Sequence, residues 1–320
     1  MLRGLRLEVP PWCVAANIER VVIHAPNEKF WALSSNQQIY GYVLWRGEYE
    51  QWLASMVMRE GGKFHFGHEI KGFDEPEGFV VAADGLTGTC RKHLGLSMPN
   101  MEDVHIGVQK IAKLPYPNNR LDLYFGSEFA PKGYAWIFPT GMQNRVRIGL
   151  GVPLSERVNP SKLLKKFSDY AGAEPITPLQ AKLIPTARPP EKLVYGNFLL
   201  VGDSGLFCDA ATGGGIANAI ESGQHAARAI VKSFRERTNP LKYYSKLCGP
   251  LRRRNNYRYR LKGVLNSLSD EDFNDLITSV QNFHPQLTRV SWAFAQALLR
   301  LTLKKPKLVT SHRILRRLFD

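Results

Sequence analysis

A chain of 320 residues with 44% hydrophobic side chains can bury a substantial core, which excludes a wholly disordered protein and suggests about two domains. Cys13, Cys90, Cys208 and Cys248 lie far apart with no C-x-x-C pair, arguing against a zinc site or a disulfide framework and fitting a reducing cytoplasm. The net charge of +15 needs a partner or another reason, while no run reaches the ~20 apolar residues of a membrane span and no signal-peptide pattern opens the chain.

Residues 18–35 read as two short strands around a turn at Pro26-Asn27. From Gly47 to Gly61 the spacing of Tyr49, Trp52, Leu53, Met56 and Val57 fits an amphipathic helix. Lys63 to Phe73 alternates and predicts a strand. Phe79 to Ala82 predicts another, ending at Asp84-Gly85 before a short helix. Residues 103–152 are mainly strands, with turns at 117–119 and 142–144. Asn159-Pro160 then caps a helix running to about Tyr170.

The segment from Gly196 to Ala227 carries the most chemistry. Phe198-Leu199-Leu200-Val201 reads as a buried parallel strand, and Gly202-Asp203 leaves a carboxylate at its carboxyl end, the edge where open α/β sheets bind ligands. Thr212-Gly213-Gly214-Gly215 opens a long helical pattern through Ile216, Ala219, Ile220, Ala226 and Ile230. The glycines admit close backbone approach, and the helix start offers N–H groups to an anionic oxygen. Helices follow to the end, with a capping box at Ser269 and Asp272. The surplus charge is concentrated here: Lys232 to Lys262 holds eleven Lys or Arg against the single acid Glu236. Charge alone admits a solvated helix face, a nucleic acid or an anionic membrane surface.

A second string is Pro131-Lys-Gly-Tyr134-Ala-Trp136-Ile-Phe138-Pro139. In a strand Tyr134, Trp136 and Phe138 share one face and build a broad apolar wall. This string resembles the signature of the geranylgeranyl reductase family, and the Gly202-Asp203 segment resembles the second flavin-contacting motif of FAD enzymes with the p-hydroxybenzoate hydroxylase fold. The following Asn144 to Val152 resembles the next family strand. Val43 to Leu53 is similar to the segment whose arginine, here Arg46, reaches the flavin, although an isolated arginine would more often lie on the surface. Ala83-Asp84-Gly85 to Arg91 is similar to the family's D-G motif. Ile184 to Pro189 resembles the stretch leading into the Gly202-Asp203 strand.

The resemblance implies an α/β (α+β) fold: an incomplete FAD-binding Rossmann-like domain (1–102 and 185–235), an inserted antiparallel β-sheet substrate domain (103–184) and a basic helical region (236–320). It implies FAD held by Arg46, Asp84, Gly85, Gly202, Asp203, Gly213, Gly214 and Gly215, with Tyr134, Trp136 and Phe138 lining the isoprenoid cavity. The activity implied is saturation of C=C bonds in geranylgeranyl chains. Archaeal membrane glycerolipids lead as substrates, with isoprenoid quinones or a chlorophyll side chain behind them. NAD(P)H or ferredoxin, and so an electron-donor protein, would reduce the flavin. The implied partners are an isoprenoid lipid and an anionic membrane surface rather than a nucleic acid, and the implied location is cytoplasmic and peripheral on a membrane.

Two departures accompany the resemblance. No G-x-G-x-x-G occurs in the chain, and Phe73 to Phe79 is shorter than the usual span before the D-G motif. The alternatives are therefore a truncated frame, an isoprenoid-binding paralogue without catalysis, or a chain completed by another. By itself the chain is expected to hold little FAD. An FAD-dependent monooxygenase or halogenase of the same fold is the further alternative. An anchoring role falls to Trp292, Phe294, Leu298, Leu299 and Leu301 beside Lys304, Lys305 and Lys307, a helical pattern with a basic flank.

Overall fold

The computed structural model describes residues 8–34, 39–74, 78–236 and 240–281. The proposed membrane anchor at 285–320 lies outside the described residues. The chain divides into two compact units. One takes His65–His105 and Leu183–Val264; the other takes Val9–Phe64, Ile106–Lys182 and the described residues from Leu265 to Gln281.

The second unit is built on a sheet of eight strands. β2 (Arg20–His24) and β3 (Phe30–Ser34) form the expected hairpin, preceded by β1 (Val14–Ile18), which pairs with β4 (Gly41–Leu44). β5 (Val80–Ala82) belongs to the other unit. β6 (Val104–Lys113), β7 (Arg120–Tyr124), β8 (Tyr134–Pro139) and β9 (Arg145–Pro153) follow, with β10 (Glu174–Pro175) and β11 (Gln180–Pro185). The order is β10-β6-β9-β8-β7-β2-β3, with β11 also on β6. β2 lies parallel to β7, and residues 9–64 belong to the unit of this sheet rather than to the partial FAD domain that the sequence reading assigned them. Hydrogen bonding across the sheet overrides proximity along the chain.

Each face of that sheet has its own cover. Ala135, Ile137, Ile148 and Leu150 point to one face and pack under α3 (Pro160–Tyr170) through Leu164 and Phe167. Asn159 caps α3, its Oδ1 accepting the N–H groups of Ser161 and Lys162 at 3.0 and 3.1 Å. On the opposite face Val21, Trp31 and Leu33 pack against Phe273, Leu276, Ile277 and Val280 of α7 (Asp270–Val280), whose start carries the expected Ser269–Asp272 capping box. The helix α1 (Arg46–Arg59) also forms where the spacing predicts it.

The strand expected over Lys63 to Phe73 does not form. Gly67 turns left-handed at φ +71°, and Phe64, Phe66 and Ile70 are left exposed, Phe66 at 79%. Alternation without a neighbouring strand to pair with does not make a sheet.

In the first unit β12 (Val194–Tyr195), β13 (Phe198–Leu200) and β5 make a three-stranded sheet. The short α2 (Thr89–His93) follows β5, and α4 (Ile216–Glu236), α5 (Pro240–Leu247) and α6 (Gly249–Leu265) follow β13. Leu199, Val201 and Phe207 pack against Ala226 and Ala229 of α4 and against Tyr244, Cys248 and Leu251. Residues 236–264 thus complete this core instead of forming a separate basic region with the chain end. Several of their charges are satisfied within the unit: Arg254 meets Glu221 at 2.7 Å, Arg258 meets Asp209 at 3.3 Å, and Lys262 meets Asp103 at 2.6 Å. These three of the eleven basic residues between Lys232 and Lys262 therefore serve the fold, while the net surplus of +15 stands. No described helix is long and apolar enough to cross a membrane.

Candidate functional site

The first unit brings the D-G and G-D turns to one edge. β13 runs parallel to β5 in the register Phe198↔Val80, Leu199↔Val81 and Leu200↔Ala82, so Asp84-Gly85 and Gly202-Asp203 both emerge at the carboxyl end of that sheet. Ser204 ties them together. Its Oγ accepts the Gly85 N–H at 2.9 Å and lies 3.1 Å from both Asp84 Oδ1 and the Gly85 carbonyl. Asp84 Oδ2 accepts the Cys90 N–H at 2.7 Å. Arg91, 5% exposed, donates to the carbonyls of Ser204 and Ser97, each at 2.8 Å, and burial holds it below the ordinary arginine range. Asp84 is therefore a brace within the protein. Ser204 and Arg91 were given no role from sequence; a hydroxyl directly after Gly202-Asp203 was the available signal.

Gly202 sits at φ +52°, a conformation that disfavours a side chain, and its N–H donates to Ser222 Oγ at 3.0 Å. The Asp203 carboxylate faces the start of α4, for a Cβ added at Gly215 would stand 3.4 Å from Asp203 Oδ1. The turn between them is organised by Asp209, which was given no role from sequence. Its Oδ1 accepts the N–H groups of Ala211 and Thr212 at 3.0 and 3.1 Å, and its backbone bonds Gly213 and Gly214 at 2.8 Å each. Open space lies where a Cβ at Gly85 would stand, at φ +84°, and Gly213 is left-handed at φ +69°. A carboxylate acceptor, a bare glycine turn and the first N–H groups of a 21-residue helix suit the hydroxyls and phosphate of a ribityl phosphate chain. The residues present fit that half of FAD.

In the second unit the three aromatics do share one face. Tyr134 and Trp136 have ring centroids 5.8 Å apart, and Trp136 stacks on Phe138 at 6.0 Å and 23°. All three are half-buried, while Ala135 and Ile137 between them are buried on the α3 face. Opposite the row on β9 stand Gly151, Gly149 and Arg147. A Cβ at Gly149 would come within 2.4 Å of the Trp136 ring, so this glycine makes the space in which the indole lies. Arg46 opens α1 on the surface and pairs with Glu50 one turn on.

The other face of this sheet buries Asp122, 1% exposed. It lies 2.6 Å from His24 Nε2 and 2.7 Å from Arg120 Nε, and it accepts the Tyr116 hydroxyl. Burial raises its pKa, but these hydrogen bonds and the Arg120 charge prevail and hold it below the usual carboxylate value.

Comparison with known proteins places this architecture in a class. The fold is a flavoprotein fold, shared with an arginine-to-glutamine variant of HpxO of Klebsiella pneumoniae complexed with FAD, which superposes with a TM-score of 0.60 at 15% identity, over 89% of this chain and 82% of that one. Within that class residues 103–180, which contain the aromatic row, match the family model of the geranylgeranyl reductase catalytic domain. A geranylgeranyl bacteriochlorophyll reductase-like protein of Thermoplasma acidophilum has a TM-score of 0.84 at 22% identity, over 97% of this chain and 85% of that one. The digeranylgeranylglycerophospholipid reductase of Methanocella arvoryzae is 28% identical over 302 residues, 85% of this chain and 76% of the relative. The chain is thus a relative of the geranylgeranyl reductases.

Proposed function

We propose that this protein is a flavin-dependent reductase that saturates C=C bonds of geranylgeranyl chains, with membrane glycerolipids of the archaeal type as its substrates. The observation that carries the reading is the half-buried row of Tyr134, Trp136 and Phe138 inside the segment matching the geranylgeranyl reductase catalytic domain. Aromatic faces suit an isoprenoid chain, because they bury its methyl and vinyl groups without presenting hydrogen-bonding atoms along the ring faces.

FAD, when bound and reduced, supplies a hydride for the alkene, and a proton completes the saturation. The chain's own work is positioning. Gly202, Asp203 and the Gly213–Gly215 turn hold the ribityl–phosphate region, with Asp203 accepting from a ribityl hydroxyl. Asp84, Ser204 and Arg91 keep Gly85 and Gly202 in register, and Arg46 adds a cation toward the cofactor. The aromatic row excludes water from the alkene. NAD(P)H or a ferredoxin provides the electrons, and the apolar and basic segment at 285–320 docks the protein on an anionic bilayer.

The test uses the full chain with FAD, dithionite as reductant and a digeranylgeranylglycerophospholipid, read by mass spectrometry for two hydrogens gained per double bond. Lipid binding without mass gain would replace the reading with a non-catalytic isoprenoid-binding protein. NADPH-driven oxygen uptake on an aromatic substrate would replace it with a monooxygenase.

A further inference from the structure

Arg147 is left without a task by that chemistry, and its placement is unusual for a surface arginine. Cross-strand partners point to one face of a sheet, and the register that sets Gly151 opposite Tyr134 and Gly149 opposite Trp136 sets Arg147 opposite Phe138. Its side chain therefore stands at the end of the aromatic row. Arg147 is half-buried, and among the described residues it makes no hydrogen bond and no ion pair.

A second cation stands at the same end. The β8–β9 turn rests on β1, since a Cβ at Gly141 would meet the Ala15 carbonyl at 2.3 Å. Two residues earlier the Cys13 carbonyl accepts the N–H of Trp45 at 2.9 Å, which fixes the start of α1 and with it Arg46. Burial, and then the like charge of Arg46, hold Arg147 below the ordinary arginine range. The described partner of Arg46 is Glu50 on its own helix, so Arg147 has no carboxylate to offset either its burial or its neighbour. An arrangement that keeps two guanidinium groups near each other at the end of an apolar row is relieved by a ligand anion. Planar forks of N–H donors match the oxygens of a phosphate.

We infer that Arg147 and Arg46 form a phosphate-binding site at the Phe138 end of the aromatic row, so that the ligand of this face is an apolar chain ending in a phosphate ester. The inference deepens the proposed function and rests on it for the apolar half of the ligand. The phosphate comes either from a lipid headgroup or from the cofactor.

Isothermal titration of the full chain separates the sources. The probes are geranylgeranyl phosphate, geranylgeraniol, FAD and inorganic pyrophosphate, with wild type, Arg147→Gln and Arg147→Lys. Arg147→Gln should weaken a phosphate probe about ten- to a hundredfold, with partial recovery in Arg147→Lys, and leave geranylgeraniol within about twofold. Loss on geranylgeranyl phosphate assigns the site to the lipid head; loss on FAD alone assigns it to the cofactor. The thermal midpoint of ligand-free Arg147→Gln should equal or exceed that of wild type, which a structural arginine would not allow. Unchanged affinity for every phosphate probe, or an equal loss on geranylgeraniol, would overturn the site. Should geranylgeraniol fail to bind wild type, the isoprenoid reading falls, and the Arg147 dependence of pyrophosphate and FAD binding still decides the phosphate site.

Discussion

The space beneath Trp136 makes a quantitative prediction about the aromatic row. A Cβ at Gly149 would lie 2.4 and 2.5 Å from two atoms of the Trp136 ring and 2.6 Å from the Val108 carbonyl oxygen. Carbon atoms rest at about 3.5 Å or more, so Gly149→Ala requires a displacement of about 1 Å. The indole is confined by Tyr134 and Phe138, and the Val108 carbonyl is backbone, so neither side yields freely. Overpacking of this kind costs ~1–3 kcal/mol, against which the stiffer unfolded chain of an alanine returns ~0.4–1 kcal/mol. A net loss of about 1–2 kcal/mol is expected. Gly151 provides the control on the same strand and face, because its Cβ would meet the Trp136 ring at 3.8 Å, an ordinary contact. Gly151→Ala should be neutral or stabilising by up to ~0.7 kcal/mol. Urea unfolding followed by fluorescence gives both values as shifts in midpoint at constant slope. Geranylgeraniol affinity should fall in Gly149→Ala and hold in Gly151→Ala. Equal stability of Gly149→Ala and wild type would refute the close packing of the row on β9.

Asp203→Ala should weaken FAD binding about tenfold or more in a flavin fluorescence titration. Asp209→Asn, which keeps the oxygen that accepts the Ala211 and Thr212 N–H groups, should bind nearly as wild type; equal weakening in both would remove Asp203 from the ribityl position. The Asp122 carboxylate is held below its unfolded pKa, so its stabilisation is complete above about pH 4 and is lost as pH falls through the folded value. Unfolding free energies measured across that acid range should lose part of their slope in Asp122→Asn, and an unchanged acid limb would contradict the assignment. Lys262 donates to Asp103 at 2.6 Å and to the Thr186 carbonyl at 2.9 Å inside the first unit, so Lys262→Met should cost ~3–5 kcal/mol in denaturant titrations. Much of that loss should return in the double variant with Asp103→Asn, and additive losses would argue against the pair.

Local chemistry made several parts of this molecule legible in advance. The period-two spacing of Tyr134, Trp136 and Phe138 put three rings on one face whatever their neighbours, because successive strand side chains alternate. The caps at Asn159 and Ser269, the apolar run before Gly202 and the glycines before Ile216 needed only short-range rules, since a helix end or a tight turn is satisfied within a few residues.

Where a segment paired was decided by the tertiary structure alone. Residues 9–64 read as part of a cofactor domain, yet β2 found β7 as its parallel neighbour, because long-range hydrogen bonding is indifferent to chain order. Lys63 to Phe73 had the alternation of a strand and no strand to join. Charge alone left the basic run of α6 open between a solvated face, a nucleic acid and an anionic membrane, and the fold turned Arg254, Arg258 and Lys262 onto Glu221, Asp209 and Asp103, acids 33 to 159 residues away in the chain. Ser204 had no role in the sequence, and gained one when β5 and β13 brought the Asp84 turn against it. The sequence by itself determined which residues could do chemistry and which faces they would occupy, for these follow from side-chain type and local spacing. Which charges were consumed internally, and which, like Arg147, were left facing an apolar row, depended on partners that only the folded chain brings together.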